Sequence, residues 1–109
     1  MRINPALNKW KYLGNTSGTG SINLPTSFNE LMCYVKVSDN NNVIIPILIL
    51  KDYLTTTEVG FNGGYGGIQG SGGVSAAARV VAKSTTAKLG SCYLNNSSVS
   101  NSTCKYYYR

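Results

Sequence analysis

Histidine is missing from this chain of 109 residues. Without an imidazole, none of the three cysteines has the partner base that usually activates a thiol nucleophile. Cys33, Cys92 and Cys104 include no CxxC pair. A zinc site made of cysteine alone needs four thiolates, or three and a water, at spacings these residues lack. Free thiols are the default, and a Cys92–Cys104 bridge across a hairpin is left open because it depends on geometry. Carboxylates are scarce as well: Glu30, Asp39, Asp52 and Glu58 are all there are. A Glu30–Asp52 or Asp39–Glu58 couple of the glycosidase kind would have to be assembled by folding. The chain therefore reads as non-enzymatic, with no cofactor and no metal site.

Long apolar runs are also absent. The longest, Val43–Leu50 (VIIPILIL), is eight residues with Pro46 inside it, far short of the roughly 20 that span a bilayer. No membrane insertion is expected. The opening MRINPALNKW lacks the apolar centre of a signal peptide. Charge is sparse, 13% of residues against about 25% in ordinary domains. The net charge of +6 raises the question of nucleic acid. Yet the basic residues are dispersed from Lys9 and Lys11 through Lys36, Lys51, Arg79, Lys83, Lys88 and Lys105 to Arg109, with no basic run.

What the chain does have is Asn, Ser, Thr, twelve glycines and eight tyrosines, a surface chemistry that suits a β-rich extracellular or particle protein. Its length indicates one domain. Residues 1–8 read as a lead-in and 9–109 as a single domain. Lys9–Leu13 alternates, with Trp10 and Tyr12 on one face, and is expected to end at a Gly14-Asn15 turn; Ser21–Leu24 is a short second strand. Phe28–Val37 has a clean period of two: Leu31, Cys33, Val35 and Val37 share one face, and Glu30, Met32, Tyr34 and Lys36 the other, so one side is buried. Ser38–Asn42 is turn chemistry.

Val43–Leu50 is apolar in both parities. Such a strand is sandwiched centrally or buried against another subunit, and Pro46 points to an edge or a bulge. Val43, Ile45, Ile47 and Ile49 are the candidate oligomer interface. Glu58–Asn62 is a further strand. Val74–Lys83 is too short for a confident helix between its flanking breakers, and Val74, Ala76, Ala78, Val80 and Ala82 line one face of a strand. Ala87–Leu94, Ser97–Ser100 and Thr103–Tyr108 complete the set, the first two joined by a two-residue Asn95-Asn96 turn. About eight short strands with frequent turns indicate an all-β antiparallel sandwich, jelly-roll-like.

Gly60–Gly73, GFNGGYGGIQGSGG, holds eight of the glycines. As a phosphate cradle it fails: after Gly64 and Gly66 the third GxGxxG position is Gln69, after Gly70 and Gly72 it is Ser75, and no GK[ST] follows. As a linker it fails because neither half has enough strands to cover its own apolar faces. It is read as a long glycine-rich loop inside one sandwich, with Phe61 and Tyr65 as candidate ligand contacts. In the last strand Cys104, Tyr106 and Tyr108 take the core side, leaving Tyr107 opposite as a third candidate contact.

The order of motifs, WKYLG, GTGSINLP, FNELMCYVKV, the apolar strand, the glycine/tyrosine stretch, AKLGSCYLN and a terminal YYYR, resembles small C-terminal domains of bacteriophage tail-fibre and minor structural proteins. The similarity spans Lys9 to Arg109. The resemblance implies a β-sandwich at the distal end of a fibre or baseplate, commonly trimeric, that contacts host-surface glycan or protein. It implies a virion or extracellular location for a chain made in the bacterial cytoplasm without a signal peptide. The matching positions, such as Trp10, Leu24, Pro25, Glu30 and Leu31, mark scaffold, so no binding residue carries over. The alternative is a secreted bacterial carbohydrate-binding, lectin-like module, and a basic nucleic-acid-binding β domain ranks third.

Overall fold

A computed structural model describes residues 9–40, 42–69 and 72–109; the proposed lead-in 1–8 lies outside them. Nine strands are present: β1 (Lys11–Ser17), β2 (Ser21–Asn23), β3 (Glu30–Lys36), β4 (Ile44–Leu50), β5 (Val59–Gln69), β6 (Gly72–Ala82), β7 (Thr86–Leu94), β8 (Ser97–Val99) and β9 (Thr103–Tyr108). They form two antiparallel sheets. One has four strands in the order β1-β9-β3-β4; the other has five, β2-β7-β6-β5, with β8 pairing to β7. The chain is an all-β sandwich, as its strand rhythm indicates. The early strands β1 and β2 pair with the late strands β9 and β7 in opposite sheets. The inner strands stay local: β3-β4 is a hairpin of one sheet and β5-β6-β7 a meander of the other.

The core lies between the sheets and is asymmetric. The four-stranded sheet contributes large side chains, among them Leu31, Val35, Ile45, Ile49 and Tyr106, while β6 opposes them with Ala76, Ala78, Val80 and Ala82. All are buried, and the odd-numbered set of β3 faces inward as its period of two requires. The run SAAARVVA is a strand; its alanines on the inner face leave room for the isoleucines opposite. Cys33, Cys92 and Cys104 are buried free thiols, packed like small hydrophobes.

Two readings of the sequence change. The chain does not turn at Gly14-Asn15: β1 runs on to Ser17, with a register shift between Tyr12 and Gly14 that leaves one extra residue, Leu13, opposite Tyr106–Tyr107. Gly14 takes φ +151°, and a Cβ there would lie 2.7 Å from Cδ1 of Ile22, so glycine carries the strand through a bulge.

The larger correction concerns Gly60–Gly73. Its described residues are strand, not loop: Val59–Gln69 and Gly72–Ala82 pair residue for residue from Val59↔Ala82 to Gln69↔Gly72. Glycine is a poor strand former, but it is used where another group must come close. At Gly63 a Cβ would sit 2.7 Å from Cγ2 of Ile45 and 3.1 Å from Cγ1 of Ile47, so the bare backbone of β5 is the surface on which β4 packs. The strand is held by its ladder, by the opposite sheet at Gly63 and by the packing of Phe61 and Tyr65 on the core.

Candidate functional site

The four residues read as an interface, Val43, Ile45, Ile47 and Ile49, are inside this chain's own core, each at most 5% exposed. The parity expected to face outward is therefore the one that faces inward. β3 presents its odd-numbered residues inward, and the register Val35↔Ile45 and Cys33↔Ile47 puts the odd residues of β4 on that same side. The outward set is Ile44 (51% exposed), Leu48 (47%) and Leu50 (40%).

These residues belong to a larger surface. Register pairing aligns Tyr12, Tyr107, Met32 and Leu48 in one row across all four strands. The next row is Asn15, Lys105, Tyr34 and Pro46. The Tyr107 ring lies 5.3 Å from that of Tyr12 and 5.7 Å from that of Tyr34, in tilted and edge-on contact, arrangements that favour aromatic pairs. At one end the Arg109 guanidinium stacks 4.2 Å above the Trp10 ring while its Nε donates to Oε1 of Glu30 at 2.8 Å. The row through Tyr12 and Leu48 is thus aromatic and aliphatic from edge to edge of the four-stranded sheet, with Tyr12 54% exposed.

The other two candidate contacts point the opposite way. Phe61 and Tyr65 are half-buried and pack against the core, and the Tyr65 hydroxyl lies over Gly67. The reason is parity: residues 61, 63 and 65 share the inner face of β5, where Gly63 meets Ile45. Neither the Phe61 nor the Tyr65 ring lines the outer hollows.

Sequence reasoning missed the outer face of the five-stranded sheet. There a depression of about 380 Å³ is lined by Asn62, Gly63, Ala77, Arg79, Ser91 and Tyr93. A second hollow of about 150 Å³ adjoins it across Ala77 and Tyr93 and extends to Ser75 and Asn96. The register of β6 and β7 shifts between Ala78 and Val80, so that Arg79 alone stands opposite Gly90 and Ser91, the kind of bulge that re-aims a side chain. A Cβ at Gly90 would meet Cγ, Cβ and Cδ of Arg79 at 3.0–3.2 Å, and one at Gly60 would fall on the guanidinium itself. Arg79 therefore lies flat across β5 and β7 in space that two glycines leave open. Asn95 and Asn96 take φ +49° and +68°, the turn expected of that pair. The Asn95 side chain accepts the Ser75 N–H at 3.0 Å, which pins the turn beside the second hollow.

The carboxylates are not gathered at any site. Glu30 pairs with Arg109, Glu58 with Lys88 at 3.4 Å, and Asp39 accepts from the amide of Asn101. No group of three or more metal-ligating side chains occurs among the described residues. No family model, no curated protein and no solved structure matches this chain.

Proposed function

We propose that this chain is a non-catalytic virion domain of a bacteriophage, a structural or host-adsorption module of a tail fibre or baseplate, which self-associates and contacts host-surface glycan or protein. The observation that carries the reading is the outer face of the four-stranded sheet. A row Tyr12–Tyr107–Met32–Leu48, bordered by Tyr34, Ile44 and Leu50, leaves apolar surface open across all four strands. Contiguous exposed apolar surface of this kind marks an interaction site. A second copy of the chain is the occupant we assign, because the face sets the Tyr12, Tyr34 and Tyr107 rings beside the exposed aliphatic residues Ile44, Leu48 and Leu50, the aromatic-rich, uncharged make-up of the centre of a subunit contact. The motif order of the sequence adds the phage context.

Sedimentation tests the association. The wild-type chain should form an oligomer at micromolar concentration, and Leu48→Lys, on an already exposed position, should return it to monomer without loss of fold. A wild-type monomer at high concentration would remove the interface. Adsorption is tested by pull-down on bacterial cells. A secreted carbohydrate-binding module is the second reading, favoured by the depression around Arg79 and Tyr93. A nucleic-acid role gains little: Lys11, Lys36 and Lys105 lie in one sheet, Arg79 and Lys88 in the other and Lys51 in the turn after β4, so the basic residues among those described are divided between the two sheets.

A further inference from the structure

We infer that the depression on the outer face of the five-stranded sheet is a binding site for a saccharide bearing an anionic group, a carboxylate or a phosphate. The inference deepens the glycan-contact part of the proposed function and rests on it. Tyr93, 43% exposed, lines both the main depression and the adjoining hollow. A tyrosine ring offers an apolar face for the C–H side of a pyranose and a hydroxyl at its tip. Asn62 and Ser91, both exposed, add an amide and a hydroxyl to the same wall. Arg79 supplies the charge. Its guanidinium is a planar fork of donors that matches carboxylate and phosphate oxygens two at a time.

Three features make this a built arrangement. Gly60 and Gly90 leave the space in which Arg79 lies, and the register shift in β7 places Arg79 between them. The two ion pairs of the described residues join Lys88 to Glu58 and Arg109 to Glu30, so neither occupies Arg79. None of the four carboxylates lines the depression or the hollow beside it, and Glu58, which lies two residues before Gly60, is paired with Lys88. The main depression is at the small end of ligand-site volumes, and the second hollow continues it past Tyr93, which suits a chain of sugar rings lying along the sheet.

The test is retention of the intact chain on three immobilised polymers: polygalacturonate for carboxylate, a sugar-phosphate polymer for phosphate, and neutral dextran. At least one anionic polymer should bind at least tenfold tighter than dextran, and whichever does names the source of the charge. Arg79→Gln and Tyr93→Ala should each lose at least fivefold, while Lys51→Gln, away from the site, should change little. Gly90→Ala keeps the arginine but crowds its methylenes, and should also weaken binding. Circular dichroism confirms that each variant is folded. Equal binding to all three polymers, no binding to any, or equal losses for Arg79→Gln and Lys51→Gln would overturn the inference. Cell adsorption separates it from the broader reading. If wild type and Arg79→Gln adsorb to bacteria alike, this site is wrong and the adsorption role stands; if neither adsorbs, both fail.

Discussion

Tyr106 is the largest side chain sealed within the core, and its polar end is bonded there. Its hydroxyl and the Thr16 Oγ1 are 2.9 Å apart across the β1–β9 pair. Removing one partner of a buried hydrogen bond leaves the other unsatisfied, at about 1–3 kcal/mol. Tyr106→Phe and Thr16→Val should each destabilise the chain by about that amount in urea titrations. The double variant should lose less than the sum, because it strands no polar group. The same buried cluster predicts the response to alkali. Hydrogen bonding to the neighbouring Cys104 thiol, then burial, raises the Cys33 thiol well above its ordinary range. Burial, with the charge of a Cys104 thiolate, raises the Tyr106 phenol. Both groups hold their protons longer in the folded state than in the unfolded chain, which releases them near pH 8.5 and 10. Above those values the unfolded state binds fewer protons, so stability falls as pH rises, by about 1.4 kcal/mol per pH unit for each group. Urea titrations from pH 7 to 11 under reducing conditions should show a flat region and then a decline. Cys33→Ala should delay the onset, and Tyr106→Phe should remove the later steepening. Stability independent of pH up to 10 would refute the assignment.

Strands are where the sequence was most readable and where it misled. β3 alternates apolar and polar residues, so its inner face could be named from Leu31, Cys33, Val35 and Val37 alone, and all four are buried. β4 offers no such contrast: both parities are apolar, and its orientation comes only from its register with β3 across the Ser38–Asn42 turn. The missing step was to carry the parity of β3 through that turn. Glycine misled differently. Its weak strand propensity is a local property, whereas Gly63 is glycine because of Ile45 and Ile47 in the other sheet, a contact invisible in a linear pattern. Arg79 could have been found: it is the one cation in SAAARVVA, at an outward parity beside inward alanines.

Pro46 has an edge role that geometry makes specific. Val37 N–H donates to Val43 O at 3.2 Å, so Val37/Val43, Val35/Ile45 and Cys33/Ile47 are the hydrogen-bonded pairs of the β3–β4 ladder. Tyr34/Pro46 falls between them, and its amides point away from the partner strand. The donor that proline lacks is one that would face the open edge of the sheet, since β4 is the last strand. Pro46 therefore interrupts the row that another strand would need for pairing. Pro46→Val should fold but associate further, seen as light scattering that keeps rising with concentration beyond that of the wild-type oligomer. Equal scattering from both would deny the guarding role.

For the whole molecule, the sandwich separates two surfaces with different chemistry. The outer face of the four-stranded sheet is aromatic and aliphatic around Tyr107, and the outer face of the five-stranded sheet is hollowed around Arg79 and Tyr93. With the core between them, a subunit docked on the first leaves the second open. On the proposed reading an oligomer would carry several saccharide sites, and linked binding can exceed single-site affinity by about 10²–10⁴. The arrangement predicts a particular separation of variants. Leu48→Lys, by releasing monomers, should leave binding to a short, monovalent anionic oligosaccharide unchanged in calorimetry and reduce retention on whole cells by at least tenfold. Arg79→Gln should do the reverse at the first step, losing oligosaccharide binding while sedimenting as the wild-type oligomer. If Leu48→Lys weakens monovalent binding as much as cell retention, the two faces are not independent, and the sugar site must draw on the subunit contact itself.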